Sequence, residues 1–362
     1  MTTIKGIVYS DIHYDRLGAR CITISDCEKV EKDIANRLVE GHFDFCLFVG
    51  DRYLRRNPED EIKTRADRIS SHFDKQIPRI HLIGNHDWVA NSMKWHTSET
   101  LKDLGGSLVV VDQPQSISIG STLVHCLPAG YQFDMSKYAT DPSKFNIFLF
   151  HDMVRGGFFD DDNKVQIQDG LPLSEIDRPE FDIVFGGDIH VPQKLPFKNT
   201  KGGYVGSVIQ RTRADADRQR GWVELIVDNS QNGWSIDMTF VPTRNFFTRV
   251  AFDVDAETTY ESLSIDESRV DDQAVEVTLR GHKEDVDRIA DDSHWKNYTL
   301  FCNARSIDIV RDYQTKQKDV VVDMSTSHGL FDDLGLYLDS GFADLGNINK
   351  DILFDILRQA NV

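Results

Sequence analysis

The chain has 362 residues, 40% of them hydrophobic and 28% charged, and a net charge of −18. That is a globular composition with length for more than one core, and the acid excess excludes a protein that coats nucleic acid through bulk charge. No apolar run reaches the roughly 18 residues of a membrane span and no signal-peptide core opens the chain, while five cysteines without CxxC spacing predict reduced thiols, a cytoplasmic setting and no structural zinc site.

Residues Ile4 to Tyr9 branch and alternate like a strand and run into Ser10-Asp11-Ile12-His13. A helix is expected from an N-cap at Ser25 or Asp26 to about Val39. The next strand, Phe43 to Val49, ends in Gly50-Asp51. Pro58 suits the first turn of a second helix that turns Ile62, Ala66 and Ile69 inward. Ile80 to Ile83 is a third strand, ending in Gly84-Asn85-His86-Asp87. This β-α-β-α-β order predicts a parallel core with right-handed crossovers.

Beyond Leu108 to Val111 the pattern changes. Gln115 to Ile119 and Thr122 to Leu127, joined by Gly120-Ser121, predict a hairpin. Phe145 to Phe150 ends in His151, and Phe181 to Phe185 in Gly186-Gly187-Asp188-Ile189-His190. Tyr204 to Val208, Gly221 to Val227 and Trp234 to Val241 are expected as antiparallel strands finishing a second sheet. No proline follows Pro242, which sets the boundary of a first domain, 1–242. Residues 246–312 are expected as a small α+β domain with strands at Thr248 to Val254, Ala274 to Arg280 and Tyr298 to Asn303, and a helix near Glu284 to Ile289. In 313–362, apolar stripes at Leu330 to Leu338 and Ile352 to Leu357 predict short helices.

Five polar clusters each follow a strand, and strand ends of open α/β sheets are where ligands bind. Together they hold Asp11, His13, Asp51, Asn85, His86, His151, Asp188 and His190. Carboxylates and imidazoles in that number exceed one metal's needs and suit two divalent ions about 3.5–4 Å apart, with Asp51 able to bridge them. Oxygen and imidazole donors without thiolate favour manganese, with magnesium the alternative. In the third cluster Asn85 offers a neutral oxygen, His86 a titratable acid, and Asp87 a partner to fix its tautomer. The remaining histidines, His96 among them, are read as structural or exposed.

In order and spacing, Asp11-x-His13, Gly50-Asp51, Gly84-Asn85-His86-Asp87, His151 and Gly187-Asp188-x-His190 resemble the calcineurin-like metallophosphoesterase superfamily. Gly187-Asp188-Ile189-His190-Val191-Pro192-Gln193 with Tyr204-Val205-Gly206-Ser207 is similar to the SbcD-type DNA repair nucleases within it. The resemblance implies an α/β fold, a four-layer α-β-β-α sandwich of two mixed sheets, with 246–312 as a DNA-facing cap and 313–362 as a helical partner-binding segment. It implies Asp11, His13, Asp51 and His190 on one metal and Asp51, Asn85, His151 and Asp188 on the other. His86 would assist the leaving oxygen, with Asp87 steadying it. Asp188 stands where the superfamily usually has histidine, and Leu54 where the nuclease branch often has His or Asp.

The function this implies is a metal-dependent DNA exo- or endonuclease working with an SbcC-like ATPase bound by the C-terminal helices. A homodimer is compatible with it and a membrane is not involved. Arg52, Arg55, Arg56, Arg211 and Arg213, with Arg218 and Arg220, are the candidates to hold backbone phosphates. Two alternatives use the same residues: a phosphatase or phosphodiesterase of nucleotides or phosphoproteins, and a non-catalytic scaffold on a relic site.

Overall fold

The computed structural model describes residues 3–15, 22–89, 93–230, 233–263, 265–266, 270–295 and 304–314. The chain opens with β1 (Thr3–Tyr9), α1 (Ile24–Glu40), β2 (Phe45–Phe48), α2 (Asp60–Ser70), β3 (Arg79–Leu82) and β4 (Leu108–Val111), and the four strands pair in parallel in that order. Next come β5 (Gln115–Ile119), β6 (Thr122–Leu127), β7 (Phe145–His151), α3 (Leu173–Ile176), β8 (Ile183–Gly187), β9 (Gln193–Lys194) and β10 (Gly202–Tyr204). These strands form a second mixed sheet in the order β5-β6-β7-β8-β10-β9. The predicted hairpin is β5 and β6, paired antiparallel.

The strands β11 (Gly221–Ser230) and β12 (Gly233–Pro242) correct one expectation. They do not finish the second sheet but extend the first, β11 lying antiparallel to β1, so the order there is β12-β11-β1-β2-β3-β4. The open edge of β1 supplies the hydrogen-bonding partner that β11 needs. Each sheet thus has six strands.

Strand periodicity divides the apolar residues between separate cores. On β7, Phe145, Ile147 and Leu149 pack between the sheets against Val8, Leu47, Leu82 and Leu225. The alternate residues Phe148 and Phe150 turn outward to Val154, Ile167, Ile176 and Tyr204. Both faces of β7 are therefore covered, which is why its sequence is apolar without alternation. On the far side of the first sheet, Ile7, Tyr9, Cys46 and Phe48 meet Val30, Ile34, Leu38, Ile62 and Ala66 of α1 and α2. Each such side chain, fully buried, contributes about 1.5–3 kcal/mol. The outermost layer over the second sheet is built mostly from the loop after β7, with α3 its single helical turn.

Helix α1 starts two to three residues earlier than the sequence suggested: Thr23 is the N-cap, and its backbone N–H donates to the Asp26 carboxylate at 2.8 Å. After Pro242, β13 (Phe247–Val254), β14 (Ala274–Gly281) and β15 (Ser306–Tyr313) form a parallel three-stranded sheet, with α4 (Lys283–Ala290) packed against it. This unit has its own core of Val275, Val277, Leu279, Val286 and Ile289. It is tied to the larger body by Arg305, whose guanidinium donates to both Asp26 oxygens at 2.6 and 2.8 Å, and by Arg213 to Asp308. Strand β15 was not foreseen. The strand expected at Tyr298 to Asn303 and both C-terminal stripes lie outside the described residues. Among the described residues, no helix is long and apolar enough to cross a membrane.

Candidate metal centre

All five polar clusters gather at one edge of the sandwich, where β1, β2, β3, β7 and β8 end. The loops after β1 and β2 run side by side: Asp11 N–H donates to Gly50 O at 3.0 Å, His13 to Asp51 O at 3.1 Å, and Tyr14 to Arg52 O at 2.7 Å. Asp11, His13, Asp51 and Asp188 all adopt left-handed backbone (φ 54°, 50°, 60° and 83°). Non-glycine residues rarely do so, and four in one site mark backbone held for what the side chains do there. Two glycines make the approach possible. A Cβ at Gly50, itself at φ 99°, would lie 2.2 Å from His151 Nδ1, and one at Gly84 would lie 2.2 Å from Asp51 Oδ1.

Asp51 is central and buried. Its Oδ1 accepts from His86 N–H at 2.9 Å and lies 3.3 Å from His151 Nε2, while its Oδ2 is 3.7 Å from His13 Nε2. His13 and His190 face each other with Nε2 atoms 2.9 Å apart. Asn85 Nδ2 donates to Asp188 Oδ1 at 3.0 Å, and Asp188 N–H donates to Asp11 Oδ1 at 3.2 Å. His151 Nδ1 donates to Val49 O at 2.6 Å, which leaves Nε2 as the donor atom facing the site.

Three groups of possible ligands emerge: Asp11, His13 and His190; Asp11, Asp51 and His151; and His13, Asp51 and His86. Asp188 stands at the edge, with Oδ1 3.9 Å from His151 Nε2. Asp11 Oδ2, Asn85 Oδ1 and His151 Nε2 are buried without a hydrogen-bond partner. Orphaned buried acceptors on converging side chains are costly in a bare protein and are what cations satisfy.

The electrostatics agree. Burial pushes the Asp11 carboxyl up to about 8, against the pull of His151. Burial also works against charge on Asp51, yet the charge of His151, with help from His13, holds it below the usual carboxylate range. Burial drives His13 well down, and burial with Arg211 takes His190 to about 4, so both imidazoles are neutral as metal ligands must be. His151 moves the other way, because Asp51, Asp11 and Asp188 outweigh its burial. Burial raises Asp188 as well. The residues present fit two divalent ions.

Two roles differ from expectation. Asp87 does not steady the His86 ring. Its oxygens accept backbone N–H groups of Asp51 (3.1 Å), Arg52 (3.0 Å) and Gly84 (3.0 Å), so it holds the loop after β2 in place. The partner of His86 Nδ1 is the Leu54 carbonyl at 2.6 Å. A main-chain acceptor serves whatever side chain stands at 54, which explains why leucine is tolerated there. Sequence reading also missed Ser207, whose hydroxyl donates to Asp11 O at 2.8 Å.

Arg52 and Arg211 are withdrawn as phosphate contacts, because they are 2% and 6% exposed. Arg52 lies beneath the loop it belongs to, 3.7 Å from Glu31 and donating to Ala66 O and Ser70 Oγ at 2.6 and 2.8 Å. Arg211 donates to Ile12 O at 3.2 Å. Arg220, also buried, is paired with Asp161 and Asp215; Arg218 is paired with Asp162, and Arg213 with Asp308. Arg55 and Arg56 remain on the surface. Arg52→Ala leaves Glu31 buried beside two tyrosine hydroxyls without its cation, so it is expected to cost about 3–5 kcal/mol. Urea unfolding checks this as a fall in midpoint at unchanged slope; a loss of DNA binding with full stability would restore the surface role.

Residues 5–192 match the model of the calcineurin-like phosphoesterase family. Similarity to solved structures is remote. A conserved protein from Streptococcus pneumoniae TIGR4, described as a predicted phosphoesterase, is 16% identical over 66% of this chain and 91% of that one, with a TM-score of 0.31. A dimetal phosphatase from Danio rerio is 10% identical over 66% and 98%, with a TM-score of 0.41. A phosphoesterase from E. coli is 12% identical over 66% and 99%, with a TM-score of 0.31. No protein of curated function matches the chain by sequence.

Proposed function

The chain belongs to the calcineurin-like phosphoesterase family, and from that premise we propose that it is a metal-dependent nuclease that hydrolyses phosphodiester bonds in DNA. Metallophosphoesterase chemistry follows from the family. The narrower reading is supported by one observation, the placement of the unit after Pro242. Its strand β13 packs on the turn at Arg213–Asp215, and Arg213 and Thr212 belong to the segment that leads away from His190. A small ester needs no second unit beside that segment, whereas a long substrate running on past His190 would reach it. Beside Asp188 and His190 runs a cleft of about 540 Å³ that reaches Arg218 and Arg220.

Asp11, His13, Asp51 and His190 would hold one ion, and Asp51, Asn85, His151 and Asp188 the other. Two divalent ions supply Lewis-acid stabilisation of charge on the phosphoryl oxygens and lower the pKa of water. His86 acts at the leaving group: with Nδ1–H committed to the Leu54 carbonyl, Nε2 is the ring atom left to face the departing oxygen, and the doubly protonated ring passes its Nε2 proton there and is left as the neutral Nδ1–H form. Asp87 acts through backbone, keeping Asp51 and Gly84 in register. The SbcD-like assignment carries with it an SbcC-like ATPase held by 330–338 and 352–357, and manganese as the working ion.

A second reading keeps one specific support. Asp160, Asp161 and Asp162 line the same cleft and occupy Arg218 and Arg220, an acidic wall that suits a small phosphoester better than a polyanion. Duplex and single-stranded DNA offered beside para-nitrophenyl phosphate, each with manganese and with chelator, separates the two. Manganese-dependent DNA cleavage is the expected result. Turnover of the small ester with intact DNA would transfer the assignment to the phosphatase.

Asp188 sets the metal preference in this reading. A third carboxylate in place of the superfamily's usual imidazole lowers the formal charge of the loaded site by one and grips hard cations better. Asp188→His is therefore expected to shift the optimum from manganese or magnesium toward zinc, cobalt or iron. An unchanged metal profile, together with near-full activity in Asp188→Ala, would remove Asp188 from the ligand set.

A further inference from the structure

One more group of donors converges among the described residues, well away in chemistry from the site above: His96, Glu99 and Asp112. His96 was read from the sequence as structural or exposed, and without CxxC spacing no structural zinc site was expected. We propose that these three residues form a third divalent-cation site, suited to zinc, that fastens the segment following His86 and Asp87 to the end of β4.

The geometry is that of a small N/O cage. His96 Nε2 lies 2.9 Å from Glu99 Oε2 and 3.4 Å from Asp112 Oδ2. Tetrahedral zinc with bonds of 2.0–2.1 Å has ligand–ligand edges of about 3.3 Å, between those two values. The His96 side chain is 1% exposed, and neither ring nitrogen makes a hydrogen bond. A buried polar side chain thus faces both carboxylates through Nε2. Burial lowers the pKa of His96 against the opposing pull of Glu99 and Asp112, toward the neutral form that binds metal.

A cation already sits between the carboxylates. Lys102 Nζ is 3.0 and 3.2 Å from the two Glu99 oxygens and 3.2 Å from Asp112 Oδ2. Lys102 is 40% exposed on a flexible stem and can swing out when a divalent ion enters. It closes the cage in the absence of metal and competes with metal for it.

The site would act on position. His96 bridges Trp88, and Thr97 donates to Asp87 O through both N–H (2.8 Å) and Oγ1 (3.0 Å). A cation joining His96 and Glu99 to Asp112, the residue after β4, would therefore pin the stretch that carries His86. It does not touch the reacting atoms.

Zinc titration of the metal-stripped full chain, read by bound-metal analysis, tests this. Three ions per wild-type chain and two in Glu99→Gln and Asp112→Asn are expected. Both replaced residues are partly exposed, so neither change threatens folding. Asp51→Ala should keep the third ion, which separates this site from the dinuclear one. Lys102→Ala should bind the third ion about three- to tenfold more tightly, because an exposed competing ammonium is gone. Zinc should also slow hydrogen exchange at the Thr97 amide in wild type and not in Glu99→Gln. Equal zinc content in wild type and Glu99→Gln, or no gain in affinity in Lys102→Ala, overturns the proposal and leaves an ion-pair cluster closed by lysine.

Discussion

His86→Ala is expected to cut turnover by roughly 10²–10⁴-fold, the scale of general acid–base assistance, while two metal ions remain bound. The ring and its backbone are each held by one hydrogen bond. Its Nδ1 is taken by the Leu54 carbonyl at 2.6 Å, and its backbone N–H by Asp51 Oδ1 at 2.9 Å. The ring also stands edge-on to His13, with centroids 5.2 Å apart, so it borders the ligand set. Removing the imidazole takes away the proton donor and leaves the backbone hydrogen bond to Asp51 in place. The loss should therefore be smaller for substrates whose leaving oxygen is already acidic, such as para-nitrophenyl esters, than for DNA. Calorimetry of the variant checks the metal. Loss of one ion would place His86 among the ligands, beside His13 and Asp51, with which it also clusters.

Asp51→Ala should be damaging to a similar degree, but by losing metal. Asp51 touches His86, His151 and His13 at once, and as the bridging carboxylate it would serve both ions. Losing the charge stabilisation those ions provide, about 4 kcal/mol, corresponds to roughly 10³-fold in rate. Stability of the metal-free protein should fall as well, because His151 at 3.3 Å and the His86 N–H lose the carboxylate whose depressed pKa records a favourable placement. The pattern to measure is activity lost, metal lost and a lower thermal midpoint in a chain that still folds. Two ions bound at wild-type affinity in Asp51→Ala would remove it from the bridge.

The parallel half of the fold and the gathering of the site were legible because each strand announces itself twice. An apolar run gives the strand, and the polar residues that end it give its orientation toward the ligand edge. Asp11, Asp51, Asn85, His151 and His190 all followed from that one rule. The pairing of β11 and β12 with β1 did not, because strand periodicity says which face is buried and nothing about which distant edge is free. Arg52 misled because an arginine after a site aspartate looks like a surface group. Its partner Glu31 lies on α1, whose inward face otherwise carries Cys27, Val30 and Ile34, so the pair could not be seen from spacing. Asp87 and Leu54 took roles that were not expected of them for a related reason. Asp87 serves backbone amides and Leu54 offers a carbonyl, and main-chain hydrogen bonds leave no trace in residue identity. Strand β15 was passed over because its burial is only partial, from Ser306 to Ile309, before it runs exposed.

The central claim is that the edge holding Asp11, Asp51, Asn85, His151 and His190 hydrolyses phosphodiesters only when it holds two divalent ions. The most direct measurement is hydrolysis of bis-(para-nitrophenyl) phosphate by chelator-stripped protein as manganese is returned in steps. The account predicts no turnover in the stripped protein and recovery that completes at two equivalents in the main site. Turnover that survives stripping, or that manganese, magnesium and zinc all fail to restore to a folded chain, would contradict it.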